Sequence, residues 1–227
     1  MLRFDIITIF PEIFDSYLGA SLINRAQKKK LIKVKLHDLR KWTLDRHKTV
    51  DDRPYGGGIG MVLKVEPIYK AVRDIKKLKR VDKRKRKIIL FTPRGKQFDQ
   101  KTAYFLSKLS HVIMICGRYE GVDERVARHI ADMKLSIGNY VLMGGELPSM
   151  VVIETVARLI PRVLGKPKLL KERITKEKGF IEYSQYTRPE TFSPKKGVNW
   201  KVPKVLLSGH HKKIKEWRKK HEKVIKK

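Results

Sequence analysis

The sequence predicts an α/β fold built on a mainly parallel sheet. Two observations carry this. Short apolar runs end in glycine-containing loops, and between them apolar residues recur at helical spacing. Residues 4–10 (FDIITIF) form the first candidate strand, and Pro11 stands where a helix would start. Phe14, Leu18 and Leu22 continue at helical spacing up to the basic end at residues 28–30. Residues 31–39 alternate Ile32, Val34 and Leu36 with Lys33, Lys35 and His37, the pattern of a half-buried strand. Residues 45–60 (DRHKTVDDRPYGGGIG) are polar and glycine-rich, hence a loop. Residues 65–78 read as a helix with Pro67 in its first turn. Residues 76–87 hold nine basic side chains and one acid, a solvated loop or helix end. Residues 88–91 and 112–116 are further strands, with a helix over 98–109 between them. After a short run at 133–137, residues 150–160 are again helical.

From residue 165 the pattern loses its strands. Residues 165–180 are charged and read as a linker between a domain at 1–164 and a small basic helical domain at 181–227. Residues 201–227 contain eleven Lys/Arg against two acids. Ile214, Trp217 and His221 share one face of a helical pattern spanning 208–225.

The balance of 54 Lys/Arg against 23 Asp/Glu gives a formal charge of +31. Such an excess opposes compaction unless an anion offsets it, and it points to nucleic acid, whose phosphates release counterions on neutralisation. The lone Cys116 forbids an intrachain disulfide and excludes a Cys-rich zinc site. His210, His211 and His221 lack the acids or cysteines of a metal site, so no metal is assigned. No apolar run spans a bilayer, and the start reads as a strand, so a cytoplasmic protein is expected.

Three loops stand out: Thr92-Pro93-Arg94-Gly95, Gly117-Arg118-Tyr119-Glu120-Gly121, and residues 136–148, SIGNYVLMGGELP. Each follows an apolar run. Ligands of parallel α/β sheets bind beyond the carboxyl ends of the strands, so these loops predict one pocket. Its backbone groups would read an adenine edge, and Tyr140 or Leu142 would pack on a ring. No Walker A pattern occurs. Gly56-Gly57-Gly58-Ile59-Gly60 formally contains GxGxG, but it follows Asp51-Asp52-Arg53-Pro54-Tyr55 and not an apolar strand.

The blocks DIITIFPEIFDSYL (5–18), VDDRPYGGGIGMVLK (50–64), CGRYEGVDERV (116–126), SIGNYVLMGGELPSMVVIETVARLIPRVLG (136–165), YTRPE (186–190) and VPKVLLSGHHKKIKEWR (202–218) resemble the bacterial tRNA (guanine-N1)-methyltransferases of the SPOUT superfamily, which modify guanosine 37. The resemblance implies a trefoil-knotted α/β domain and an obligate homodimer with active sites at the subunit interface. It also implies S-adenosyl-L-methionine bent in the knot loops. By position the cofactor site falls on Pro93, Gly117, Tyr119, Glu120, Ile137, Gly138, Asn139, Tyr140, Val141, Leu142, Gly144, Gly145 and Pro148. Arg158 matches the family's catalytic arginine and is assigned to charge building on guanine O6. The family's linker Asp, the proton acceptor, falls on Ile174 in an ungapped match. A two-residue shift places Glu172 there, with Glu177 and Glu182 as fallbacks. Arg188, Lys212, Lys213 and Arg218, with the loop at 51–60, are the expected tRNA contacts. A non-catalytic RNA-binding protein on the same fold is the competing expectation.

Overall fold

The computed structural model describes residues 1–78, 81–165 and 180–225. The chain divides into two compact units, Met1–Pro167 and Lys168–Lys227.

In the first unit, β1 (Leu2–Thr8) leads through a short 3-10 turn into α1 (Asp15–Leu18) and α2 (Ser21–Lys28). There follow β2 (Ile32–Asp38), the two-residue strands β3 (Asp51–Asp52) and β4 (Val62–Leu63), and α3 (Val65–Leu78). The unit continues with β5 (Arg86–Gln97), α4 (Gln100–Ser107), β6 (His111–Ile115), α5 (Glu124–His129), β7 (Met133–Ser136) and α6 (Glu146–Ala157). The five long strands form one sheet in the order β2-β1-β6-β5-β7, with every pairing parallel. The predicted parallel α/β core is therefore present.

Side chains alternate across this sheet, and helices cover both faces. Phe4, Ile6, Val112 and Met114 enter one buried cluster with residues of α2, α4 and α6. Ile7, Ile113 and Ile115 enter the other, with Ile68, Val72 and Ile75 of α3 and Val126 of α5. Local polar chemistry sets the helix starts: Asp99 accepts from the Thr102 amide at 2.6 Å to cap α4, and Asp123 accepts from the Arg125 amide at 2.9 Å to cap α5.

A carboxylate lies inside the sheet. Asp5 is fully buried, and its carboxylate meets His37 Nε2 at 2.6 Å, His111 Nε2 at 2.7 Å and the Arg3 guanidinium at 2.5 Å. Burial pushes its pKa up, but the hydrogen bonds from His111, His37 and Arg3 outweigh it and hold the carboxyl well below the usual carboxylate range.

Two expectations are corrected. Residues 92–95 do not end the strand. Phe91 and Lys96 both pair with Leu135, so β5 resumes after a four-residue bulge and runs on to Gln97. Gly95 makes the return possible, since a Cβ there would lie 2.5 Å from the Leu135 carbonyl carbon.

The second unit does contain strands. β8 (Phe180–Tyr183) pairs with β11 (Glu222–Ile225) across the unit. Between them lie the hairpin of β9 (Thr191–Lys195) and β10 (Val198–Lys201) and the helices α7 (Lys204–Leu207) and α8 (His211–Lys220). Pro194 within β9 and the Lys-rich composition masked the alternation. The helical pattern expected over 208–225 is cut at Lys220, where β11 takes over. Trp217 and His221 do share a face, stacking at 4.1 Å between ring centroids.

Candidate functional site

β6, β5 and β7 are neighbours in the sheet, so the loops after β6 and β7 and the bulge within β5 converge. They enclose a cavity of about 480 Å³, in the range of small-molecule sites. Of the residues predicted to bind a cofactor, Pro93, Gly117, Tyr119, Glu120, Ile137, Tyr140, Val141, Leu142, Gly144, Gly145 and Pro148 all line it. Gly138 and Asn139 do not. Ser136 Oγ donates to the Gly138 carbonyl at 2.8 Å and Tyr140 Oη to that of Ile137 at 3.3 Å, folding this segment into a tight turn beside the cavity. The floor is apolar, with Leu90, Val122, Ala127 and Leu135, and the rim carries Glu120, Glu124 and Arg94. Arg94 Nη2 donates to Glu124 Oε2 at 2.8 Å.

The glycines of residues 136–148 also serve the packing of the protein on itself. None of Gly138, Gly144 and Gly145 has a positive φ. They are needed for protein packing against protein. A Cβ on Gly145 would sit 2.6 Å from Cys116 Cα and 3.1 Å from the Gly117 amide nitrogen, and one on Gly144 would strike the Arg118 side chain and the Glu146 carboxylate. This close approach lets the Gly145 amide donate to the Gly117 carbonyl at 3.0 Å. Left-handed backbone appears instead at Tyr119, with φ +58°, in a turn closed by the Gly121 amide donating to the Arg118 carbonyl at 3.1 Å. Such a conformation in a non-glycine residue costs on the order of 1 kcal/mol and is typical of residues held in place at ligand sites.

A buried ion pair that sequence reasoning did not assign fastens the site. Glu146, 1% exposed, opens α6. Its Oε2 accepts from Arg118 Nε at 2.9 Å and its Oε1 from Thr8 Oγ1 at 2.7 Å. Arg118 also lies 4.8 Å from the centroid of the Phe10 ring. One carboxylate thus ties together the end of β1, the loop after β6 and the start of α6. The signal for it was a single acid beside two glycines at the start of an apolar helix. Cys116, behind this pair, is fully buried, and burial, then the Glu146 charge, push its thiol up, so it stays protonated.

The glycine-rich loop approaches the same place. Leu63 donates to the Gly121 carbonyl at 3.0 Å and Glu120 to that of Met61 at 3.1 Å. Gly60, with φ +96°, lies against the Glu120 side chain.

Arg158 is exposed at the carboxyl end of α6 and does not line the cavity. At 1.5 Å per residue it stands about 15 Å along the helix from Pro148. Glu172 and Glu177 lie outside the described residues. Glu182 is in β8, opposite Lys223. In the second unit Lys212 and Lys213 are exposed in the first turn of α8, and Arg218 lies 5.1 Å from the Tyr183 ring centroid. Arg188 is exposed before β9. His210 caps α8, its Nδ1 accepting from the Lys213 amide at 3.4 Å. Among the described residues no group of three or more His, Cys, Asp and Glu is placed to hold a metal ion. No described helix is long and apolar enough to cross a membrane.

Comparison with known proteins gives a consistent result. The family model described as tRNA (Guanine-1)-methyltransferase TrmD matches residues 2–226. The tRNA (guanine-N(1)-)-methyltransferase of Dictyoglomus turgidum is 51% identical over 220 residues, covering 97% of this chain and 84% of that protein. That of Carboxydothermus hydrogenoformans is 47% identical over 219 residues, covering 96% and 82%. The crystal structure of tRNA (m1G37) methyltransferase from Aquifex aeolicus superposes with a TM-score of 0.77 at 40% identity, covering 97% of this chain and 88% of that one. With a cavity at the sheet's carboxyl edge and a match along nearly its whole length, the chain belongs to the tRNA (guanine-1)-methyltransferase TrmD family.

Proposed function

We propose that the protein transfers a methyl group from S-adenosyl-L-methionine to N1 of guanosine 37 in tRNA, acting as a homodimer. The observation that carries the reading is the convergence of three family-matching segments on one cavity. Its size and mixed lining suit the cofactor: apolar residues for the adenine, and the carboxylates of Glu120 and Glu124 for its positive end. When bound, S-adenosyl-L-methionine supplies an electrophilic methyl group on a sulfonium.

Guanine N1 is protonated and a poor nucleophile, so the protein must hold the base in line, take the N1 proton and stabilise charge growing on O6. Arg158 supplies the cation for O6. One chain does not bring it to its own cavity, which supports a site completed by a second copy. An apolar strip beside the cavity supports the same reading: Val141 is 82% exposed, Met143 87% and Leu147 56%. Glu172 is the proposed proton acceptor, in place of the family's Asp. A trefoil knot in the first unit and a cytoplasmic setting belong to this reading. The basic second unit, through Arg188, Lys212, Lys213 and Arg218, would hold the tRNA, from which the target base is turned out into the pocket.

The test uses labelled methyl donor with two tRNAs, one bearing guanosine 37 and one adenosine 37. Label entering the first alone supports the proposal; label in neither makes the protein a non-catalytic RNA binder. Single-turnover methylation by Glu172→Gln is expected to fall by orders of magnitude, and near-normal rates would remove Glu172 from the role.

A further inference from the structure

The hairpin of β9 and β10 presents aromatic surface that the fold does not use. Phe192 and Trp200 are directly paired across the two strands, their ring centroids 5.6 Å apart and tilted by 50°. Phe192 is 52% exposed and Trp200 63%. Every residue of β9 is exposed, and in β10 only Val198 is partly covered. An isolated two-stranded ribbon is marginally stable and ordinarily turns its aromatic face onto a neighbour. Here that face is open.

The charge within the hairpin is basic throughout, with the exposed Glu190 standing just before β9. Lys195 and Lys196 stand at the turn, which Gly197 completes with φ +82°, and Lys201 follows Trp200. All three lysines are exposed, and residues 191–201 contain no acid. At about 3.4 Å per residue, Lys195 is within about 10 Å of Phe192 along the strand. Open rings bordered by lysines are the composition of a site for an unpaired nucleotide: the base stacks on the rings and the flanking phosphates meet the ammonium groups. A protein partner would gain from the apolar surface, but nothing in the lysines would favour it over RNA.

We propose that the Phe192–Trp200 pair is a stacking platform for an unpaired base of the bound tRNA, with Lys195 and Lys196 at the turn neutralising the adjacent phosphates. This rests on tRNA being the substrate and adds a contact separate from the methyl-transfer site.

The test is equilibrium binding across a salt series, using a tRNA bearing guanosine 37 and, as a second probe, a blunt RNA duplex without unpaired bases. Trp200→Leu and Phe192→Leu should each weaken tRNA binding by at least about fivefold at every salt concentration, with unchanged salt slope and duplex binding within twofold of the parent. Trp200→Phe should restore most of the affinity. Lys195→Gln combined with Lys196→Gln should instead reduce the salt slope. If both leucine variants bind tRNA within twofold of the parent, or lose tRNA and duplex alike, the platform is overturned. Methylation by the parent protein is read separately. Binding without methylation would count against the catalytic reading alone, whereas a methylating parent with indifferent leucine variants would count against the platform alone.

Discussion

Replacing Glu146 tests whether one buried carboxylate holds the cavity together. Glu146→Ala removes the partner of Arg118, whose side chain is only 19% exposed, and the acceptor of the Thr8 hydroxyl. Breaking a buried ion pair from one side costs about 3–5 kcal/mol, because the remaining charge stays buried without compensation. The partial exposure of Arg118 and its contact with Phe10 place the cost near the lower end, about 3 kcal/mol. The stranded Thr8 donor adds about 1 kcal/mol. A protein of this size loses roughly 2–4 °C of Tm per kcal/mol, so the variant should melt about 8–16 °C below the parent. Glu146→Gln keeps an oxygen acceptor and should lose about half as much. The assay is thermal unfolding of the parent, the two Glu146 variants, Arg118→Ala and the double variant Glu146→Ala with Arg118→Ala. Strong coupling is expected, with the double variant far less destabilised than the sum of the singles. A fall in Tm below 2 °C for Glu146→Ala, or simple additivity, would refute the reasoning.

Gly145→Ala should destabilise by about 1–3 kcal/mol and raise the KM for the methyl donor, because the new methyl meets backbone at Cys116 that cannot move aside; calorimetric titration with the donor checks both loop closure and binding. Asp5→Asn should cost about 3 kcal/mol at neutral pH. Since the folded carboxyl titrates well below its unfolded value of about 3.9, its contribution is complete above about pH 4 and declines as pH falls below that. The gap between parent and variant in denaturant midpoint should therefore narrow on acidification, and a gap that widens would contradict the assignment. Charge reversal at Lys212 and Lys213 should weaken tRNA binding and flatten its salt slope while leaving methyl-donor affinity unchanged, as filter binding and donor titration will show.

The sheet was legible because its central strands are buried on both faces and stand out as apolar runs, as at residues 88–91 and 112–116, and its edge strand β2 alternates. The pocket was legible too, since two of its segments follow β6 and β7 and the third, residues 92–95, follows the apolar run of β5 even though the strand resumes after it. What pairwise spacing hides is tertiary partnership. Arg118 and Glu146 are 28 residues apart and no periodicity links them. That Gly144 and Gly145, which line the cavity, also let one loop lie on another was hidden, because a glycine looks the same in sequence whether it admits a ligand or another loop. In the second unit, Phe180–Tyr183 finds its partner in Glu222–Ile225 almost at the other end of the unit, a pairing that composition could not announce.

The bond from Thr8 to Glu146 spans 138 residues. It joins the first strand of the unit to its last described helix, and the strands between pair in parallel, which delays their contacts until long stretches of chain are available. During synthesis the cavity therefore has its floor and rim residues but no clasp until α6 has emerged and met β1. Occupancy by the methyl donor should then be all-or-none with respect to chain length, and a ribosome-bound chain ending before Glu146 should capture none.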